Sequence, residues 1–305
     1  MVQSPESSRR HFLKTACSAA ASLAVPMALP AARGPGSLAS AAETAGKVQS
    51  SPMKLSFMTF VCPTWTTETV VKFARRAGYD GVEIRVDADH KHGISSASSL
   101  ETRRSVKKLF ADEGVQVAAV ATSVQFASPA AENHRKNLAA ARANLDLAAD
   151  LGAPVVRMFA GGGIRKLTPE AARQVAAAFD EVGDYAKGSG SCPILECGHD
   201  IIKGAAEAAE VLRQVRTENF GALWNHSEMD DPTFDALKGR LRHFHVHDEV
   251  LDPKNTNLVA LARRVKKIPY RGYVSLEIIW GKNVPEDVLI ATASRLKRQI
   301  AEGLA

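Results

Sequence analysis

Residues 242–248 read Arg-His-Phe-His-Val-His-Asp. His243, His245 and His247 alternate with other residue types, and on a β-strand a period of two puts all three imidazoles on one face. Imidazole ligates divalent metals and moves protons near neutral pH. Carboxylates stand in similar settings: Glu83 within 81–86 (GVEIRV), Glu196 within 193–197 (PILEC) and Glu277 within 273–277 (YVSLE). In each run the apolar residues occupy the alternate positions, which sends the acids to the face shared with the imidazoles. Arg157 in 155–160 (VVRMFA) and Asn225 at the end of 221–225 (GALWN) follow the same rule. Two carboxylates, a side-chain oxygen and an imidazole make a donor set for Mn²⁺, Mg²⁺, Co²⁺ or Zn²⁺. Such an ion polarises a carbonyl and stabilises an enediolate, while a carboxylate on each side of a carbon removes and returns a proton. That chemistry serves aldose–ketose isomerisation and epimerisation beside a ketone.

The elements that must position these groups are legible as an alternation. Short β-rich runs fall near 54–61, 81–86, 115–122, 154–160, 193–197, 220–225, 241–247 and 272–279. Amphipathic stretches follow them at 66–77, 98–113, 130–150, 168–187, 203–216, 255–267 and 284–302, with a short, poor helix at 229–239. Repeated strand–helix units imply parallel strands with crossover helices, and eight units in this length fit a closed (β/α)₈ TIM barrel. Thr168-Pro169-Glu170 reads as a helix start, and Gly78 and Gly114 as helix ends. Gly161-Gly162-Gly163 lacks the Lys-Ser/Thr of a phosphate loop and reads as a flexible βα turn. In a barrel the inward set becomes Glu83, Arg85, Arg157, Glu196, Asn225, the three histidines and Glu277. Barrels carry their sites at the C-terminal mouth, which is where Glu196, Asn225, His245, His247 and Glu277 fall. His243, one layer deeper, is expected to be structural. His226 is expected to point away, and Trp280 stands at the rim.

Residues 1–50 read as a leader and linker, and 51–305 as the barrel domain. Arg9-Arg10-His11-Phe12-Leu13-Lys14 precedes an alanine-rich stretch, and Ala39-Ser40-Ala41 offers a small-x-small cleavage site. This pattern is that of a twin-arginine signal peptide, which implies passage through the twin-arginine export machinery and a periplasmic or secreted protein. The formal charge is +6, of which residues 1–50 carry +3, leaving a mild and scattered +3 that gives no reason to invoke nucleic acid. Outside the leader no apolar run is long enough to span a membrane, so no stable membrane insertion is expected after its removal. Cys62, Cys192 and Cys197 are too few for a disulfide framework and read as packing residues.

Several segments together resemble the xylose isomerase-like TIM barrel superfamily of sugar phosphate isomerases and epimerases. They are Gly78-Tyr79-Asp80-Gly81-Val82-Glu83, Leu195-Glu196, His243-Phe244-His245-Val246-His247-Asp248 and Tyr273-Val274-Ser275-Leu276-Glu277. The resemblance covers about residues 53–302. It implies metal ligands at Glu196, Asn225, His245 and Glu277, and a proton-transfer pair at Glu196 and Glu277. Glu83, His92, Arg157, His247 and Trp280 are the expected substrate-binding residues. The chain departs from the family's sixth-strand Asp-x-x-His, where it has Asn225 and Glu228, and its common Lys is His247. The expected activity is a metal-dependent sugar or keto-sugar isomerase or epimerase. A lyase or hydrolase of 3-keto-glycosides on the same barrel stays open, as does a sugar-binding protein with a degraded metal site. Self-association into a homo-oligomer is left open.

Overall fold

The computed structural model describes residues 52–305, so the expected leader lies outside the described residues. Eight parallel strands close in the order β1 to β8: β1 Lys54–Met58, β2 Gly81–Arg85, β3 Gln116–Gln125, β4 Val155–Phe159, β5 Cys192–Cys197, β6 Gly221–Trp224, β7 Leu241–Val246 and β8 Tyr273–Leu276. β8 pairs back onto β1, with Lys54 opposite Tyr273 and Phe57 opposite Leu276. The helices are α1 Thr67–Ala77, α2 Leu100–Asp112, α3 Ala131–Leu151, α4 Pro169–Tyr185, α5 Ala205–Leu212, α6 Asp231–Leu237, α7 Asn257–Val265 and α8 Glu286–Leu304. The closed (β/α)₈ barrel is therefore confirmed. None of these helices is long and apolar enough to cross a membrane.

Local chemistry sets the helix ends. Thr168 Oγ1 accepts from Ala171 N–H at 3.1 Å, with Pro169 in the first turn. Gly78 ends α1 and Gly152 ends α3 at positive φ, where a Cβ would be strained. Three boundaries differ from the sequence expectation, and each matters to the site. β1 stops at Met58 because Thr59–Val61 turn into a 3₁₀ segment, which swings Thr59 out of the ladder. β6 and β8 stop one residue short of Asn225 and Glu277, so both side chains stand on the lip of the barrel. The glycine run after β4 is tightly packed rather than free. Gly161 N–H donates to Asp200, and a Cβ on Gly162 would lie 2.5 Å from the Ala127 carbonyl oxygen.

Two apolar regions hold the barrel. The larger lies between strands and helices and takes the outward residues Val82, Ile84, Val156, Met158, Leu195, Phe244, Val246, Val274 and Leu276. The smaller plugs the barrel interior with Ala119, Val155, Ile194 and Leu223. Full burial of such a side chain contributes about 1.5–3 kcal/mol. Above the plug the interior turns polar. Cys62, Cys192 and Cys197 are free thiols; burial pushes all three up, Cys192 to about 11.

The closure between β7 and β8 depends on one missing methyl group. A Cβ on Gly272 would lie 2.0 Å from the Arg242 carbonyl oxygen and 2.6 Å from Tyr270 Oη. Gly272→Ala should therefore destabilise the fold by about 1–3 kcal/mol, read as a lowered midpoint in urea unfolding. An unchanged midpoint would mean that this seam relaxes freely.

Candidate active site

Glu83 anchors the polar interior. It sits mid-strand on β2, fully buried, and its carboxylate accepts from both imidazoles of β7. His243 Nε2 lies 2.9 Å from Oε2, and His245 Nε2 lies 3.0 Å from Oε1 and 3.1 Å from Oε2. Burial would raise the Glu83 pKa, but His245 and His243 outweigh it and hold the group well below the usual carboxylate range. A carboxylate only accepts, so both imidazoles carry a proton on Nε2. His245 Nδ1 is thereby turned toward the mouth.

There it meets the two remaining acids. His245 Nδ1 lies 3.1 Å from Glu277 Oε2 and 3.6 Å from Glu196 Oε1. The distances are short, yet the alignment of a hydrogen bond is missing, and His245 Nδ1 and Glu196 Oε2 are buried without a hydrogen-bond partner. A bare lone pair among carboxylates is repulsive unless a proton or a cation lies between them. A proton meets the need: burial lowers the His245 pKa, but Glu83 and Glu277 outweigh it and raise the group well above its ordinary value. A divalent cation meets it equally, because Glu196, His245 and Glu277 each offer a ligand atom and these lie within 4.8 Å of one another. Glu83, His243 and His245 are as close together. Their facing nitrogens and oxygens hydrogen-bond one another, whereas in the upper trio His245 Nδ1, the atom that faces the two acids, has no hydrogen-bond partner.

The other expected site residues take differing positions. Asn225 is buried beside His247, whose Nε2 lies 2.8 Å from Asn225 Oδ1; His247 Nδ1 lies 3.1 Å from the Glu277 carbonyl oxygen. His247 thus ties the lips of β6 and β8 together, with its side chain 29% exposed to the mouth. Arg157, expected to hold substrate, is only 2% exposed. Its Nη1 donates to the Thr122 carbonyl at 2.8 Å, its Nε lies 3.2 Å from Glu196 Oε2, and its guanidinium lies 4.1 Å from the Phe159 ring centroid. It is a fixed counter-ion that holds Glu196. Glu83, also expected at the substrate, has both oxygens engaged by imidazoles and no exposure. His226 Nε2 pairs with the Gly198 carbonyl at 2.9 Å, away from the trio. Trp280 is 40% exposed at the rim, its Nε1–H donating to Asp248 Oδ2 at 2.7 Å.

His92, also expected at the substrate, has both ring nitrogens facing groups of its own chain. Its Nδ1 accepts from Ile94 N–H and its Nε2 faces Thr59 Oγ1, so neither nitrogen is left for a ligand. Sequence reasoning placed His90 with His92 in the loop after the second strand as a possible substrate contact, but passed over Thr59 and Phe60 beside them. No periodicity marks residues in a 3₁₀ turn and a long βα loop; the only available signal was their position just after β1 and β2.

Two outcomes follow from this charge arrangement. Burial raises the Glu277 carboxyl, but His245 outweighs it and brings the group from 4.5 down to about 2. The unfolded chain then binds this proton more readily, so the stability Glu277 contributes is complete above about pH 4.5 and is lost as pH falls toward 2. Urea unfolding across that range should lose stability steeply, and Glu277→Gln should flatten the loss. Glu83→Gln leaves the histidine pair without its anion; it should cost about 3–5 kcal/mol in the same assay.

Comparison with known proteins gives a consistent fold. No curated protein matches the chain. Among solved structures, D-psicose 3-epimerase in the presence of D-fructose superposes with a TM-score of 0.69 at 13% identity, covering 83% of this chain and 100% of that one. The 3-keto-D-glucoside 4-epimerase from E. coli gives 0.66 at 16% identity, covering 82% and 99%. A probable 3-DHS dehydratase from Bacillus anthracis gives 0.62 at 17% identity, covering 80% and 99%. At these identities the likeness establishes the fold. Residues 71–299 match the family described as xylose isomerase-like TIM barrel, and the chain belongs to that family.

Proposed function

We propose that this barrel is a sugar or keto-sugar epimerase or isomerase in which Glu196 and Glu277 exchange a proton with the carbon beside a carbonyl. The observation that carries this reading is the convergence of Glu196, His245 and Glu277 at the mouth with unpartnered buried atoms. Glu277, held ionised, suits the base; Glu196, fixed by Arg157, faces the same space and suits the opposite transfer. Glu196, His245 and Glu277 would hold a divalent ion, with Asn225 as a neutral fourth donor. When bound, that ion supplies Lewis-acid polarisation of the carbonyl. His245 is oriented by Glu83, and His247 bridges the lips of β6 and β8 beside it. Relatives of this fold that act on ketoses and keto-glucosides support the substrate class. The paired arginines near the N-terminus add export to the reading, which favours an unphosphorylated sugar.

A lyase reading is favoured by one observation. Ile279 and Trp280 expose apolar surface at the rim, 62% and 40% respectively, and could accommodate a leaving group. Both readings begin with the same proton removal.

Incubation with D-fructose, D-psicose and 3-keto-glucosides in D₂O tests them. The expected result is deuterium uptake beside the carbonyl, lowered about 10²- to 10⁴-fold in Glu196→Gln and Glu277→Gln. Uptake with release of the aglycone marks the lyase, and no uptake across the panel overturns both.

A further inference from the structure

The β2 loop brings two imidazoles to the mouth, and their hydrogen bonds can be followed in sequence. Ile94 N–H donates to His92 Nδ1 at 3.0 Å, so in the neutral ring the proton sits on Nε2. His92 Nε2 lies 3.4 Å from Thr59 Oγ1 and therefore donates to it. Thr59 Oγ1 also accepts from Arg85 N–H at 3.0 Å. With both lone pairs used, the hydroxyl has only its proton left, and the remaining neighbour is His90 Nδ1 at 3.3 Å. His90 Nδ1 accepts that proton, which places the His90 ring proton on Nε2. No partner faces His90 Nε2 among the described residues, and the atom is not buried.

The ring itself is held in place. His90 packs edge-on against Phe60 at 5.5 Å and against His92 at 5.5 Å. Phe60 lies 5.6 Å from the Arg85 guanidinium. The loop that carries His90 leaves the C-terminal end of β2, the end of the barrel at which Glu196 and Glu277 stand. Burial and Arg85 lower the His90 pKa, and burial lowers that of His92 to about 4, which keeps the relay neutral at neutral pH.

We infer that His90 is the substrate-contacting imidazole of the β2 loop, an Nε2–H donor to a sugar oxygen whose tautomer is set by His92 and Thr59. This rests on the proposed keto-sugar reading. It assigns to the loop a hydrogen-bond acceptor on the substrate, a hydroxyl or carbonyl oxygen, and it excludes a cation at that position, since the only free ring atom is a donor.

The tautomer is testable without turnover. In ¹⁵N–¹H long-range NMR of the full barrel, His90 should show a protonated Nε2 and a bare Nδ1, and Thr59→Val should give a mixture of tautomers. A protonated Nδ1 in the unaltered protein overturns the relay. The contact is tested with whichever keto-sugar exchanges deuterium. His90→Ala should raise KM about 5- to 10-fold and by more than it lowers kcat, with part of the loss recovered in His90→Gln, which keeps an N–H donor. If Glu196→Gln abolishes exchange while His90→Ala leaves KM unmoved, the contact is refuted and the proton-transfer reading stands. If no sugar exchanges, D-fructose and a 3-keto-glucoside are titrated into the NMR sample. A shift of the His90 Nε2 signal supports the contact independently of chemistry, and no shift with either sugar overturns it.

Discussion

One carboxylate shared by two imidazoles governs the interior of this barrel. Glu83 is fully buried, and a carboxylate there is tolerated only because His243 and His245 both donate to it. The same pairing decides which face of His245 remains free. If Glu83 did not claim Nε2, nothing would turn Nδ1 toward Glu196 and Glu277. Specificity of orientation is gained from groups that are individually costly to bury, and the apolar plug of Ala119, Val155, Ile194 and Leu223 beneath them keeps water out.

The mouth repeats this logic with the charges reversed. Glu196 and Glu277 stand near one another and near Glu83, an arrangement that repulsion would disperse. Arg157 holds Glu196 from one side, stacked on Phe159 and tied to Thr122. His245 stands between the two acids. Asn225 is a neutral amide at the lip of β6, and its oxygen is shared with His247. The mouth therefore carries one less negative charge than it would with a carboxylate at that position, which would weaken the pull on any hard divalent ion placed there.

The rim differs in kind from the strands. Thr59, Phe60, His90 and His92 belong to a 3₁₀ turn and a loop, yet they form a connected wall of hydrogen bonds and edge-on ring contacts. Trp280 is similarly steadied by Asp248. Rigid loops of this type place donors and apolar surfaces around a site whose chemistry is set by the strands.

The sequence by itself determined the barrel and its interior. Alternation assigned Phe244, Val246, Leu195, Val274 and Leu276 to the outer core, which forced His243, His245, Glu196 and Glu277 inward, because a strand has only two faces. Position along the strand also set His243 one layer below His245 and His247, but it could not say which inward groups are taken up by partners. Glu83 and Arg157 carry the same inward signature as Glu196, and only the tertiary structure shows them buried and engaged, since their partners come from other strands. The wall beyond β1 and β2 was equally closed to sequence reasoning. A turn has no repeat to read, and the distinct settings of His90 and His92 depend on hydrogen-bond directions among Ile94, Thr59 and Arg85 that exist only once the chain is folded.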